Sequence, residues 1–211
     1  MKLTSKTFAD GDAIPERCAF GVPDTAVHMG FGSNHSPQLT WLELPAGSRS
    51  LVLTCIDPDV PSSGTNVNQE GLTVPADLPR VDFTHWVVVD IPATVEGLEE
   101  GECSTGVIAG GKREPPGPAG ARQGLNDYTG FMASDPDMRG DYLGYDGPCP
   151  PWNDERLHHY RFTLYATDLD HCPVEGKFTT ADVLAAIAGH VLGEASLTGT
   201  YSLNPTVRAK V

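Results

Sequence analysis

Four side chains that can donate, accept or carry charge fall in line with apolar rows: Asp57, His85, His158 and Tyr160. In extended backbone, residues two apart share a face. Leu51, Leu53, Cys55 and Asp57 make one such row, and Phe83, His85, Val87, Val89 and Ile91 a second. His158, Tyr160, Phe162 and Leu164 make a third, with His159, Arg161 and Thr163 on the opposite face. A polar group that faces a core needs a partner, because an unpaired one costs about 1–3 kcal/mol. One pocket shared by all four, completed by water or a ligand, meets that need. Imidazole and tyrosyl O–H groups donate, and imidazole becomes cationic near pH ~6.5. Charge-assisted bonds to phosphate oxygens are about twice as strong as neutral ones. Asp57 orients a histidine, meets a protonated phosphate oxygen, or pairs with an ammonium. The chemistry open to this set is the binding of a small ligand through hydrogen bonds, an anion being one that imidazole and tyrosyl donors suit. If the histidines act as imidazolium, affinity weakens as pH rises through roughly 6–7. Alternation alone does not make the three rows converge, and an inward histidine is more often a satisfied core residue.

Two catalytic readings compete with binding. Asp57, His85 and His158 offer the carboxylate and two imidazoles of a metal-assisted hydrolase, a set that suits Zn²⁺ or Fe²⁺. Their spacing matches no metal motif. Cys149 beside a histidine evokes a thiol nucleophile, but it sits between Pro148 and Pro150 as a wall residue would. No GxSxG, P-loop or GxGxxG context is present. The expectation is a binding protein rather than an enzyme, with no cofactor and no resident metal.

Three strands must position these groups. Leu51–Asp57 is apolar and β-branched and is expected to stop at Pro58, which has no N–H for a ladder. Phe83–Ile91 ends at Pro92, and Tyr160–Ala166 is the third. Residues 62–80 read as one long loop. Residues 101–151 are rich in Gly and Pro and are expected to be long functional loops. One helix is expected over Thr180–Ala195, where Val183, Leu184, Ile187, Ala188 and Val191 recur at the 3.6-residue period. Thr179 or Thr180 caps it, and Asp182 lies in its first turn.

The bulk numbers agree with a loop-rich β protein. The 211 residues include 23 glycines and 18 prolines, well above average usage. No repeat or internal boundary is visible, so residues 1–211 are expected to form a single domain. The formal net charge is −14, which repels phosphate backbones and anionic bilayers, so nucleic acid is not an expected partner. No stretch approaches the ~18 apolar residues of a membrane span. The opening Met1-Lys2-Leu3-Thr4-Ser5-Lys6 has no apolar run behind it. The five cysteines are scattered without CxxC. Both features lead to a cytoplasmic expectation.

Four stretches in order resemble the phosphatidylethanolamine-binding protein family, in its bacterial and archaeal Raf kinase inhibitor-like branch. They are SPQLTW at 36–41, DPDVP at 57–61, HWVVVDIP at 85–92, and GPCPP at 147–151 followed by HHYRFTLYATD at 158–168. NDYTGF at 126–131 and the ending GHVLGEASLTGTYSLN are similar too, so the likeness runs from about Phe8 to Asn204. It implies a mainly β, Greek-key β-sandwich, a large central sheet against a smaller one, with a C-terminal helix and long loops. It implies a pocket at one edge of the large sheet for phosphate or phosphorylated ligands, such as a phospholipid head group. Carried over motif by motif, that pocket holds Asp57, Asp59, His85, Gly147, Pro148, Pro150, Pro151, His158 and Tyr160. The resemblance further implies a regulatory, kinase-inhibitor-like role, a homodimer, and a cis bond at Val60-Pro61. The chain departs from the pattern at His159, where Arg is common, and in the charged stretch Trp152–Arg156, whose side chains are expected to overhang the pocket mouth.

Overall fold

The computed structural model describes residues 1–210. In chain order the strands are β1 (Lys2–Thr4), β2 (Gly21–Asp24), β3 (His28–Phe31), β4 (Leu39–Leu42), β5 (Ser50–Pro61), β6 (Arg80–Pro92), β7 (Gly97–Leu98) and β8 (Arg122–Gln123). Helix α1 (Tyr128–Phe131) precedes β9 (His158–Thr167). Then come α2 (Thr180–Ala186), β10 (Val191–Tyr201) and α3 (Pro205–Arg208). The large sheet has the order β10-β9-β5-β6-β8, with antiparallel neighbours throughout. A three-stranded sheet, β1-β4-β7, lies over one of its faces.

Two cores follow from the alternation of the central strands. Leu51, Leu53 and Cys55 of β5 and Tyr160, Phe162 and Leu164 of β9 pack with Leu3, Leu39, Trp41 and Leu98 of the small sheet. On the other face Val52, Val87 and Val89 meet Phe178, Val183 and Ile187, so α2 covers that side. β2 and β3 pair as a separate two-stranded ribbon, and the mainly β architecture, a large sheet against a smaller one, is as expected. Among the described residues, no helix is long and apolar enough to cross a membrane.

Four local expectations need correction. The helix stops at Ala186 instead of Ala195. Thr179 and Asp182 do form its capping box, but Gly189 takes φ +85°, the left-handed conformation that ends helices. The chain then returns as β10 along the whole of β9, from Val191↔Thr167 to Tyr201↔His158. Its alternation, Leu197-x-Gly199-x-Tyr201, is that of a strand. Second, β5 does not stop at Pro58. Asp57 pairs with Phe83 and Val60 with Val81, so Pro58 and Asp59 together face Asp82 alone. Pro58, having no N–H to give, occupies that bulge, and the strand runs on to Pro61. Third, the peptide bonds are trans among the described residues, Val60-Pro61 included.

The fourth correction concerns the row through His85. Cys55 pairs with Trp86 and Ile56 with Thr84, leaving His85 as the extra residue of a bulge. The bulge resets the period. Trp86 and Val88 face the core between the sheets, while Val87 and Val89 face α2. A second irregularity follows, since Leu51 pairs with Ile91 and Leu53 with Val88. Asp90 takes φ +61° there, and Ile91 returns to the core between the sheets. His85 thus parts from Val87 and Val89 and joins the side that Asp57 and Tyr160 occupy.

Candidate functional site

The ends of β5, β6 and β9 open into a cleft of about 360 Å³. Asp57 and His158 are hydrogen-bonded across neighbouring strands, and the bulge turns His85 toward them. Asp57, His85, His158, Tyr160, Pro150 and Pro151 line the cleft. Asp59, Gly147 and Pro148 do not. The Asp59 carboxylate turns to the opposite face of the sheet, 2.8 Å from His159 Nδ1 and 3.3 Å from Arg156 Nε. Gly147 and Pro148 brace the wall from behind. Gly147 N–H donates to Asn34 Oδ1 at 2.8 Å and its carbonyl accepts from Tyr128 Oη at 2.8 Å. The Pro148 carbonyl accepts the N–H groups of Phe20 and Gly21.

His158 is wholly buried and held between two carboxylates. Its Nδ1 lies 2.7 Å from Asp57 Oδ2, and its Nε2 lies 3.1 Å from Asp154 Oδ2. Ionised carboxylates only accept, so both ring nitrogens donate and the ring is an imidazolium. Burial opposes that charge, but the bonds to Asp154 and Asp57 outweigh it and lift the pKa to about 9. Asp154 is in turn paired with buried Arg80, whose Nη2 lies 3.0 Å from Asp154 Oδ1. The same guanidinium donates to the carbonyls of Asp59 and Pro75. Burial would raise the Asp154 pKa, yet its partners hold it below the ordinary carboxylate value. Charges therefore alternate along Asp57, His158, Asp154 and Arg80, and each neutralises its neighbour.

His85 is the opposite case. Its Nδ1 donates to the Asp146 carbonyl oxygen at 2.7 Å. Phe83, Tyr128 and Tyr160 surround the ring with centroids 5.0–5.6 Å away. Burial in this aromatic cage pulls the pKa below the usual histidine value, against the upward pull of Asp57. The Asp146 side chain is fixed by Lys112 at 2.6 Å and by Asn34 and Asn126 at 2.8 Å each. The two histidines are thus pushed in opposite directions, His158 toward the imidazolium and His85 toward the neutral ring.

Tyr160 is 1% exposed, and its hydroxyl has no partner among the described residues. Burial, then the charge of Asp57, pushes the phenol well above its usual pKa, so it keeps its proton and can donate. The Cys149 thiol is pushed up to about 12 by burial, which leaves almost no thiolate and disfavours the nucleophile reading. The metal set fits poorly as well. Both nitrogens of His158 are engaged by carboxylates and one nitrogen of His85 by a carbonyl. Asp57, His85 and His158 therefore do not present three free ligand atoms.

The far lip of the cleft is the loop between β5 and β6, through Ser63, Gly64, Val67 and Asn68. The stretch Trp152–Arg156 holds this loop rather than overhanging the mouth. Asn153 is buried, with Nδ2 at 2.8, 3.3 and 2.9 Å from the carbonyls of Asn66, Gln69 and Leu72. Its Oδ1 accepts the Asn68 N–H at 3.0 Å. The Trp152 ring stacks on His28 at 4.0 Å. Sequence reasoning passed over Phe83, Tyr128 and Phe131 as lining residues, although Phe83 stood in the row with His85 and the other two lie in NDYTGF. Asp154 stood out only as part of the charged stretch Trp152–Arg156, and nothing in the sequence paired it with Arg80.

Comparison with known proteins agrees with this architecture. The family model described as phosphatidylethanolamine-binding protein matches residues 4–202. A UPF0098 protein of Methanothermobacter thermautotrophicus is 36% identical over 203 residues, covering 95% of this chain and 98% of its own. The UPF0098 protein YbhB of Escherichia coli is 32% identical, covering 96% and 100%. Among solved structures, Escherichia coli YbcL, described as a new member of the mammalian PEBP family, superposes with a TM-score of 0.66. It is 28% identical, with 95% of this chain and 97% of that one covered. A PEBP homologue from Chlamydia trachomatis gives a TM-score of 0.63 at 28% identity, covering 95% and 96%. The chain belongs to the phosphatidylethanolamine-binding protein family.

Proposed function

We propose that the cleft binds a small phosphorylated ligand, such as a phosphate monoester or a phospholipid head group, and that the protein works by binding rather than by catalysis. The observation that carries this reading is the buried, unpartnered Tyr160 hydroxyl on a floor shared with Asp57 and His85. A donor of that kind is costly to leave unpaired, by about 1–3 kcal/mol, and a ligand oxygen repays it. The apolar lining of Val60, Pro61, Phe83 and Phe131 suits the carbon skeleton beyond the phosphate. Hydrolysis is disfavoured by a protonated thiol and by a histidine with no free nitrogen. A regulatory, kinase-inhibitor-like role would follow from capture of such a ligand.

Calorimetric titration with inorganic phosphate tests the reading. Tyr160→Phe should weaken binding by roughly 10-fold, the value of about one hydrogen bond to a charged group, while thermal stability stays level or rises. His85→Ala should weaken binding and leave the chain folded. If Tyr160→Phe binds phosphate as the native protein does, the ligand lies elsewhere. About one metal per chain in protein purified without chelator, lost in His85→Ala, would favour the hydrolase instead.

A further inference from the structure

On the floor of the cleft, around His85, hydrogen-bond acceptors outnumber donors. His85 Nδ1 gives its proton to the Asp146 carbonyl, and a carbonyl oxygen can only accept. A neutral imidazole carries a single N–H, so His85 Nε2 is left as a lone pair, and the one hydrogen bond the ring makes among the described residues is that of Nδ1. Asp57 adds a carboxylate. The nearest cation, His158, has both N–H groups committed to Asp57 and Asp154. The Tyr128 hydroxyl donates to the Gly147 carbonyl, so toward the cleft its oxygen accepts. Pro61, Pro150 and Pro151 line the cleft and have no N–H at all. What remains on the floor beside His85 is the Tyr160 hydroxyl, with the Cys149 thiol as a weak second donor; the other side-chain donors, the Ser63 hydroxyl and the Asn68 amide, stand at the lip.

The groups that face or act on His85 come from every side. Asp57 belongs to β5, Tyr160 to β9, Asp127 and Tyr128 to the start of α1, and Asp146 to the loop before the wall. The three carboxylates favour a proton on the ring, yet burial among Phe83, Tyr128 and Tyr160 outweighs them. The ring is therefore ready to receive a proton in a hydrogen bond and poorly suited to supply one.

We infer that the cleft selects ligands that bring their own proton, taking the monoprotonated form of a phosphate or phosphate monoester in preference to a fully ionised sulfate of the same shape. The inference rests on the phosphate reading proposed above and adds a rule of selection to it. One P–O–H donates to His85 Nε2 while another phosphate oxygen accepts from Tyr160. Phosphate monoesters release that proton with a second pKa near ~6, so about a tenth of them keep it at pH ~7 and most keep it below pH ~6. Sulfate has none to offer and sets lone pairs against the Nε2 lone pair. A site built to bond a ligand proton discriminates sharply against the analogue that lacks it.

The test is calorimetry on the native chain with inorganic phosphate, methyl phosphate, inorganic sulfate and methyl sulfate, in two buffers of different ionisation enthalpy. At about pH 7 the sulfates should bind roughly 10- to 100-fold more weakly than the phosphates, as one mismatched buried bond implies. Above the second phosphate pKa, at about pH 8, phosphate binding should take up close to one proton. The gap should narrow as pH falls through the lowered pKa of His85 and the ring gains its own proton. His85→Gln sets an amide N–H₂ where the lone pair was and should bring sulfate to within about threefold of phosphate at neutral pH. Equal affinity for phosphate and sulfate in the native protein, with no proton uptake, would overturn the selection rule and leave the anion site standing. Binding of neither anion at any of these pH values would remove both. Should His85→Gln fail to fold, proton uptake by the native protein still decides.

Discussion

At the scale of single residues, the two buried histidines give the protein a stability profile with two limbs. The folded-state pKa of His158 is raised to about 9, against about 6.5 in the unfolded chain. Its contribution is complete below pH ~6.5 and is lost as pH climbs toward ~9, a loss of order ~3 kcal/mol at 1.36 kcal/mol per unit. His85 is lowered, so it destabilises in the other direction, as pH falls below ~6.5 and the buried ring is forced to charge. Urea unfolding followed from acid to alkaline pH should show stability greatest near neutrality and falling on both sides. Replacing His158 by Gln should abolish the alkaline limb and lower stability at pH ~7 by about 3–5 kcal/mol, because Asp57 and Asp154 lose the cation between them. Asp57, His158 and Tyr160 could be read from the sequence because a period of two is a local property. Arg80 and Asp154 could not, since their pairing spans 74 residues and no local pattern marks it.

At the scale of elements, the bulges of β5 and β6 and the wall loop decide where the polar groups point. The strand cores around Leu53, Val88 and Leu164 were plain in the text, being continuous and β-branched. The bulge at His85 was not, because an extra residue is set by pairing with β5 and leaves the composition of β6 unchanged. The early end of α2 is a similar case. Apolar residues at helical spacing continue past Ala186, but Gly189 and the edge of β9 draw the chain into β10. The wall offers a sharp test. A Cβ on Gly147 would stand 2.0 Å from the Cys18 carbonyl oxygen, which is backbone and cannot swing aside. Gly147→Ala should therefore cost about 3 kcal/mol and weaken phosphate binding together with stability, read by thermal melts and calorimetry. The lip offers a second. Asn153→Ala removes the anchor of residues 66–72, and hydrogen exchange there should quicken by roughly 10- to 100-fold while the β5–β9 core keeps its protection.

At the scale of the whole molecule, the formal charge of −14 works against the arrival of any anion. Long-range repulsion is screened by salt over about 10 Å at 0.1 M. Association of phosphate should therefore quicken, or at least hold level, as ionic strength rises from about 0.02 to 0.2 M, the reverse of a site fed by positive potential. Stopped-flow or calorimetric titration over that range checks it. The same molecule also separates its parts in a way that matters for redesign. The lip is tethered through carbonyl oxygens of Asn66, Gln69 and Leu72 and the N–H of Asn68, all read by one side chain, Asn153. Backbone atoms are the same whatever residue bears them. The side chains at Val67, Gln69 and Leu72 can accordingly be rewritten without touching their mooring, and the segment is a graftable cassette. A foreign lip of equal length, given Asn153 and the left-handed backbone at Asn66 and Asn68, should dock in the same place and bring its own choice of ligand.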